Sequence, residues 1–373
     1  MVVFTSISVN YIPKAKILAK SFKQHNPGGT FVLCLVERSI HPAVKDPIFD
    51  YIITAGELEI PEFESFMFKH TVVEACTAVK GYAFKKLLSQ FPREQIFLYL
   101  DPDIFVLGPF TELLNVLKEH DIILTPHLCV PEDNLDAIMD NEICALKHGV
   151  FNLGFLAIKR SPEAIRFIDW WKDRLHEFCW ADIPNGLFTD QRWMDLAPCF
   201  FNVHILKHPG YNVATWNLKH RPITRDDNGN LYAARLPLRF YHFTGFDSGA
   251  NEIMLLKYCP DKNNPVYTLR KQYLELLEEH GQNELGNTPW SFDFYSNGNR
   301  IKKEHRETYR SNREFQLWIT NPFETEKMNK FNSRLMNKKA PTYKAANILR
   351  KTIDTYRIGG FHLLFRKVTN KLK

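Results

Sequence analysis

The chain has 373 residues, 45% hydrophobic and 13% aromatic, which is enough apolar material for a large core and too much for a disordered chain. Seven scattered cysteines without a C-x-x-C pair exclude a zinc ribbon and a disulfide framework, and nowhere do about 18 apolar residues run together to cross a membrane. The net charge of +6 is unevenly spread: residues 327–373 hold 13 Lys/Arg against one acid (+12), so the other 326 residues carry 35 Lys/Arg against 41 acids (−6).

Val2 to Ser6 reads as a strand. No basic, apolar leader precedes it, and reduced thiols fit a cytoplasmic protein, so that is the expected location. From Pro13, the positions Ala15, Leu18, Ala19 and Phe22 follow helical spacing until Gly28-Gly29, and Phe31 to Val36 is a second apolar run. Strand, helix and strand in that order build a parallel sheet covered by helices. A helix is expected over Thr77 to Gln90. Ile96 to Leu100 then has the uninterrupted apolar character of a central strand buried on both faces. Phe151 to Lys159 is another strand. Ser161 and Pro162 open a helix whose core face is Ala164, Ile168, Trp171, Leu175 and Phe178. Past residue 250 the chain becomes more polar and helical. The expected division is an α/β domain over 1–250, a mainly helical extension over 251–330 and a basic tail over 331–373.

Asp101-Pro102-Asp103 directly follows the central strand, and open α/β sheets bind ligands beyond the carboxyl ends of their strands. Two carboxylates placed there can hold one hard divalent cation and leave positions open for phosphate oxygens. The bland alternative is a turn with two solvated acids. Further along come Phe151-Asn-Leu-Gly-Phe155, Thr189-Asp-Gln191 and His242-Phe-Thr-Gly245. In order and approximate spacing, these four motifs resemble the GT-A glycosyltransferases, and most closely glycosyltransferase family 8, which includes glycogenin and lipopolysaccharide sugar transferases. Asp190-Gln-Arg-Trp-Met-Asp195 and Tyr211-Asn-Val-Ala-Thr-Trp-Asn217 look like a bacterial branch associated with surface polysaccharides. The resemblance covers roughly residues 1–250.

That resemblance implies a Rossmann-like GT-A fold with a mostly parallel sheet, a nucleotide-sugar donor (a UDP-sugar), and a glycan, glycolipid or glycoprotein acceptor. It implies that Asp101, Asp103 and His242 bind the metal, Mn²⁺ or Mg²⁺, a donor set of carboxylates and imidazole that suits such ions. Asn152, Asp190 and Gln191 match residues beside the donor sugar, where an oxygen helps stabilise positive charge at the anomeric carbon. Gly245 matches a glycine beside the diphosphate. Thr5, Ser6 and Asn10 match positions that contact the nucleotide base, and Tyr82 and Lys85 resemble the family's Tyr-x-x-basic segment, where Lys85 either pairs with the donor phosphates or is a helix-surface lysine. Two departures stand out. Phe246-Asp247-Ser248 replaces the lysine–proline–tryptophan that often follows the histidine motif, which leaves Lys85 or Lys257 to neutralise phosphate, and Asp195 stands where asparagine is more usual.

Two rival readings remain at the level of sequence: a haloacid-dehalogenase-like phosphatase using the DxD, and a degenerate, non-catalytic transferase domain. In the tail, Ala345, Ile348, Leu349, Thr352, Ile353 and Tyr356 share one helical stripe, and Phe361, Leu364, Phe365, Val368 and Leu372 repeat it among Lys and Arg. The pattern suits a helix lying on anionic lipid, which would make the protein peripheral at the cytoplasmic face, or alternatively a helix docked on the protein itself. No nucleic-acid motif accompanies the charge.

Overall fold

The computed structural model describes residues 1–246 and 249–324. The chain begins with β1 (Val2–Ile7), α1 (Ile12–His25), β2 (Thr30–Leu35), β3 (Tyr51–Thr54), α2 (Phe63–Lys69), α3 (Val72–Ala78) and α4 (Lys80–Gln90). It continues through β4 (Ile96–Leu100), β5 (Ile104–Val106), α5 (Thr111–Glu119), β6 (Ile122–Pro126), α6 (Leu135–Ala137), α7 (Ile143–His148), β7 (Phe151–Lys159) and α8 (Pro162–Phe178). Then follow β8 (Ala181–Asp182), β9 (Leu187–Phe188), α9 (Ala197–Phe200), β10 (Val203–Ile205), β11 (Ile223–Arg225), β12 (Leu231–Ala233), β13 (Leu236–Pro237) and β14 (Phe240–His242). The last helices are α10 (Ala250–Tyr258), α11 (Pro265–Glu279), α12 (Gln282–Leu285), α13 (Lys303–Ser311) and α14 (Arg313–Trp318). Among the described residues, no helix is long and apolar enough to cross a membrane.

Seven strands form the central sheet in the order β10-β6-β7-β4-β1-β2-β3, as expected mostly parallel. β1 pairs parallel with β2 and β4, and its six residues are all buried, as a strand covered on both faces requires. The exception is β7, which runs antiparallel between β4 and β6. That reversal brings the start of β7 alongside the end of β4: Leu100 pairs with Phe155, and the Asp101 amide donates to the Gly154 carbonyl at 2.8 Å.

A second reversal completes the frame. β14 pairs antiparallel with β5, setting His242 opposite Ile104. Along β14 the side chains alternate: Phe240 packs into the main core with Phe110 and Phe155, while Tyr241 enters a second core with Val213, Phe243 and Tyr273. Each buried aromatic of this kind contributes about 2 kcal/mol of apolar burial. The strand is therefore packed from both sides, and its last residue, His242, is buried with it.

The helix expected over Thr77 to Gln90 is two helices, because α3 ends at Ala78 and α4 begins at Lys80. Ser161 caps α8 as expected, its hydroxyl accepting from the Ala164 amide at 3.1 Å. The chain divides into two compact units, one of residues 1–63 with 70–293, the other of Glu64–Lys69 with the chain from Phe294. Residues 251–293, expected in the extension, thus group with the first unit, since Leu255, Val266, Leu269 and Leu277 bury in the second core. In the second unit, Phe68 packs its ring edge-on against Tyr309 and Phe323, and buried Arg306 donates to the Met67 and Phe68 carbonyls. The amphipathic tail expected over 331–373 lies outside the described residues.

Candidate active site

The DxD turn is held at three points. The Asp101 carbonyl accepts from the Ile104 amide, the Asp101 amide donates to β7, and the Asp103 carbonyl accepts from the Phe243 amide just after β14. These bonds aim both carboxylates at His242. One ligand atom from each of Asp101, Asp103 and His242 can be chosen so that all lie within 4.8 Å of one another. His242 Nε2 is 3.1 Å from Asp103 Oδ1 and 3.6 Å from Asp101 Oδ2. Burial opposes charge on the imidazole, but the Asp103 and Asp101 carboxylates outweigh it and raise its pKa. Burial likewise works against ionisation of Asp103, and His242 outweighs it and lowers that pKa.

The imidazole is oriented from behind. Its Nδ1 lies 3.0 Å from Asn212 Oδ1, and Asn212 Nδ2 donates to Asn152 Oδ1 and Thr125 Oγ1. An amide oxygen at Nδ1 holds a proton there, so Nε2 is the nitrogen left to give its lone pair to a metal in place of its own proton, the arrangement metal-binding histidines use. Two carboxylate oxygens and a neutral imidazole nitrogen so arranged fit Mn²⁺ or Mg²⁺. Gly154 makes the geometry possible, because a Cβ there would lie 2.4 Å from His242 Cε1.

Asp101 and Asp190 are joined by a residue that the motif reading missed. Lys80 is 1% exposed, and its ammonium lies 2.8 Å from Asp190 Oδ2, 3.5 Å from Asp101 Oδ1, 3.1 Å from the Leu153 carbonyl and 3.9 Å from the centre of the Tyr99 ring. Burial opposes its charge, yet the two carboxylates raise its pKa. Asp190, 2% exposed, is raised by its own burial despite Lys80. The Trp171 indole N–H donates to the Asp190 carbonyl, and Thr189 turns the chain through a left-handed φ of 45°. A sequence signal for Lys80 did exist. It lies on the stripe of Ala83, Phe84 and Leu87, the buried side of α4, where a lysine needs a buried anion.

Lys85 is not brought to this site. It sits on the outer side of α4, paired with Asp169 of α8 at 2.9 Å. Thr5, Ser6 and Asn10 do not reach the cavity either. Thr5 and Ser6 are buried within β1, where the Ser6 hydroxyl donates to the Cys76 carbonyl, and the Asn10 side chain accepts from Ser8. A cavity of about 560 Å³ collects the remaining candidates: Asp101, Asn152, Asp190, Gln191, His242 and Gly245 line it together with Lys80. Asp103 closes the metal group from outside that lining. Gln191 accepts from the Leu153 amide and donates to the His148 carbonyl, so its amide joins β7 to the end of α7. Lys257 forms an ion pair with Asp140, which lines the cavity.

In sequence the chain is similar to two uncharacterised proteins of Bacillus subtilis (strain 168). YfnD is 26% identical over 248 residues, 65% of this chain and 76% of that protein, and YfnF is 25% identical over 213 residues, 56% and 69% respectively. No protein-family model matches. In structure the chain is similar to the galactosyltransferase LgtC solved with donor and acceptor sugar analogues (TM-score 0.41, 15% identity, 78% of this chain and 98% of that one). It is also similar to a glycosyltransferase involved in glycosylation of the major capsid of PBCV-1 (TM-score 0.38, 14% identity, 68% and 98%) and to mouse xyloside xylosyltransferase 1 (TM-score 0.37, 14% identity, 66% and 97%).

Proposed function

We propose that the protein is a GT-A-type glycosyltransferase that moves a sugar from a nucleoside-diphosphate donor, a UDP-sugar, to a hydroxyl of a glycan, glycolipid or glycoprotein. The observation that carries this reading is the convergence of Asp101, Asp103 and His242 on one side of a cavity that also holds the buried Asp190–Lys80 pair. Asp101, Asp103 and His242 would hold Mn²⁺ or Mg²⁺, which when bound supplies positive charge to a departing diphosphate.

The chain's own groups account for the rest. Lys80 works against the burial that raises the Asp190 pKa and holds that side chain in one place, so an oxygen faces the position where positive charge develops on the sugar. Asn152 is held by Asn212 and the Gly154 amide, and Gln191 by two backbone groups, so neither must be ordered when substrate arrives. Trp216 and Phe188 give the cavity aromatic walls. The phosphatase alternative fits less well: Asp101 Oδ1, on the carboxylate that would attack, accepts from the Tyr99 hydroxyl at 2.7 Å. The proposal places the protein in the cytoplasm, peripheral to anionic membrane through residues 331–373.

Thermal melts with UDP test the reading. UDP is expected to raise the melting temperature when Mn²⁺ or Mg²⁺ is present and not in excess EDTA, since the cation links carboxylate to phosphate. Asp103→Ala and Asp103→Asn should lose this protection and any transfer or hydrolysis of the sugar. Equal protection in EDTA, or full protection of Asp103→Ala, overturns it.

A further inference from the structure

A second cavity, of about 310 Å³, lies across a thin wall from the first. His127 and Trp216 line the first, while their chain neighbours Leu128 and Asn217 line the second. The wall is tied together by the Trp216 indole and the Asn217 amide, both donating to the His127 carbonyl at 3.3 Å.

The feature of this second cavity is Arg221. It is 3% exposed, yet no carboxylate among the described residues comes within ion-pair distance of it. Its guanidinium donates once to the Tyr211 carbonyl, at 2.7 Å, and once to Cys129 Sγ, at 3.0 Å, a weak acceptor. A guanidinium has five N–H donors, so three remain without a protein acceptor among the described residues. A buried charge left this way is costly unless something answers it. Lys207, exposed and without an ion pair among the described residues, lines the same cavity, as does His220. The nearby acid, Glu132, is already satisfied by Asn141, Lys219 and His220. The cavity therefore presents a cationic fork with unfilled donors and no counter-charge of its own.

We propose that this cavity binds an oxyanion, a phosphate group held by the Arg221 fork and Lys207, and that in the working protein this phosphate is carried by the acceptor. The second half rests on the transferase reading, because only there does a neighbouring cavity receive an acceptor. The first half does not depend on it. A planar guanidinium matches two oxygens of one phosphate at once, and Lys207 supplies a point charge at the mouth. A phosphate seated there is separated from the transfer cavity only by the His127–Asn217 wall, so a phosphorylated glycan can bring a hydroxyl to one side while its phosphate is anchored on the other.

The probe is inorganic phosphate, titrated into full-length protein without divalent metal, against chloride at equal ionic strength, with heat of binding and melting temperature both read. Saturable binding is expected. Arg221→Lys, which keeps the charge and loses the fork, should weaken it about tenfold. Lys207→Ala, at an exposed side chain, should weaken it several-fold without altering the melting temperature in chloride. A phosphorylated acceptor should then show a lower KM than its dephosphorylated form, and Arg221→Lys should erase that preference. Absence of phosphate binding in the unaltered protein, or undiminished binding in both variants, overturns the site. If phosphate binds as expected but UDP gains nothing from metal, the transferase reading fails and the oxyanion site stands. If UDP and metal bind together but phosphate does not bind, the reverse holds.

Discussion

A single methyl group at position 154 would take up the space that the His242 ring occupies. The added Cβ would fall 2.4 Å from His242 Cε1 and 2.8 Å from Asn152 Oδ1, and neither group can retreat, since both are hydrogen-bonded to Asn212. Gly154→Ala is therefore expected to cost about 1–3 kcal/mol of stability through overpacking. It should also lower Mn²⁺ affinity roughly 10–100-fold by turning the imidazole. Urea denaturation reads the first effect and calorimetric Mn²⁺ titration the second, and unchanged Mn²⁺ affinity would separate His242 from the metal. Lys80 supports a similar argument. Lys80→Met strands Asp101 and Asp190 without their cation, and breaking one side of such a buried pair costs about 3–5 kcal/mol. Adding Asp190→Asn should return part of that stability, though not activity. If the double variant is no more stable than Lys80→Met, Lys80 is held by something other than Asp190.

At the scale of elements, the site depends on how closely α4 crosses α8. Gly81 follows Lys80, and a Cβ on it would lie 2.7 Å from the Lys172 Cα, so two backbones meet where no side chain fits. Gly81→Ala must push the helices apart, and α4 would carry Lys80 away from Asp190 as it moves. The expected result is a lower melting temperature and weaker metal-dependent protection by UDP, although residue 81 touches neither ligand. Stability lost with UDP protection intact would mean that the helix yields elsewhere. The elements themselves were largely legible beforehand: β4 and β7 coincide with their apolar runs, and Ser161–Pro162 marks the start of α8. The break at Val79 was not, because Thr77 to Gln90 carries no proline and its one glycine lies inside the expected helix.

For the molecule as a whole, the two units overlap in sequence, since Glu64–Lys69 belongs with the chain from Phe294. A protein cut after Asp293 would keep Phe68 but lose Tyr295, Tyr309 and Phe323, the three rings packed on it, and leave that apolar site uncovered as an aggregation hazard. Truncation after Glu324 leaves that cluster whole. The longer fragment is expected to be monodisperse by size-exclusion chromatography and to retain metal-dependent UDP binding, the shorter one to aggregate. A well-behaved 1–293 fragment would show that the second unit contributes nothing to the folding of the first.

What could be read from residues alone was the sheet class, the DxD at the end of a central strand, and the order of the motifs that meet in the cavity. Those features are local: apolar runs, caps and short polar signatures repeat the chemistry of their own neighbourhood. Tertiary structure decided which cations serve the site. Lys85 and Lys80 are five residues apart on one helix, and only the packing of α4 on α8 turns Lys80 inward to Asp101 and Asp190 while Lys85 pairs outside with Asp169. It also decided the direction of β7 and β14, since an apolar run has no sign until its neighbours are known. Those two reversals bring Asn152, Gly154 and His242 against Asp101 and Asp103, residues between about 50 and 140 positions apart in the chain, because long-range strand pairing sets distances that no local pattern encodes.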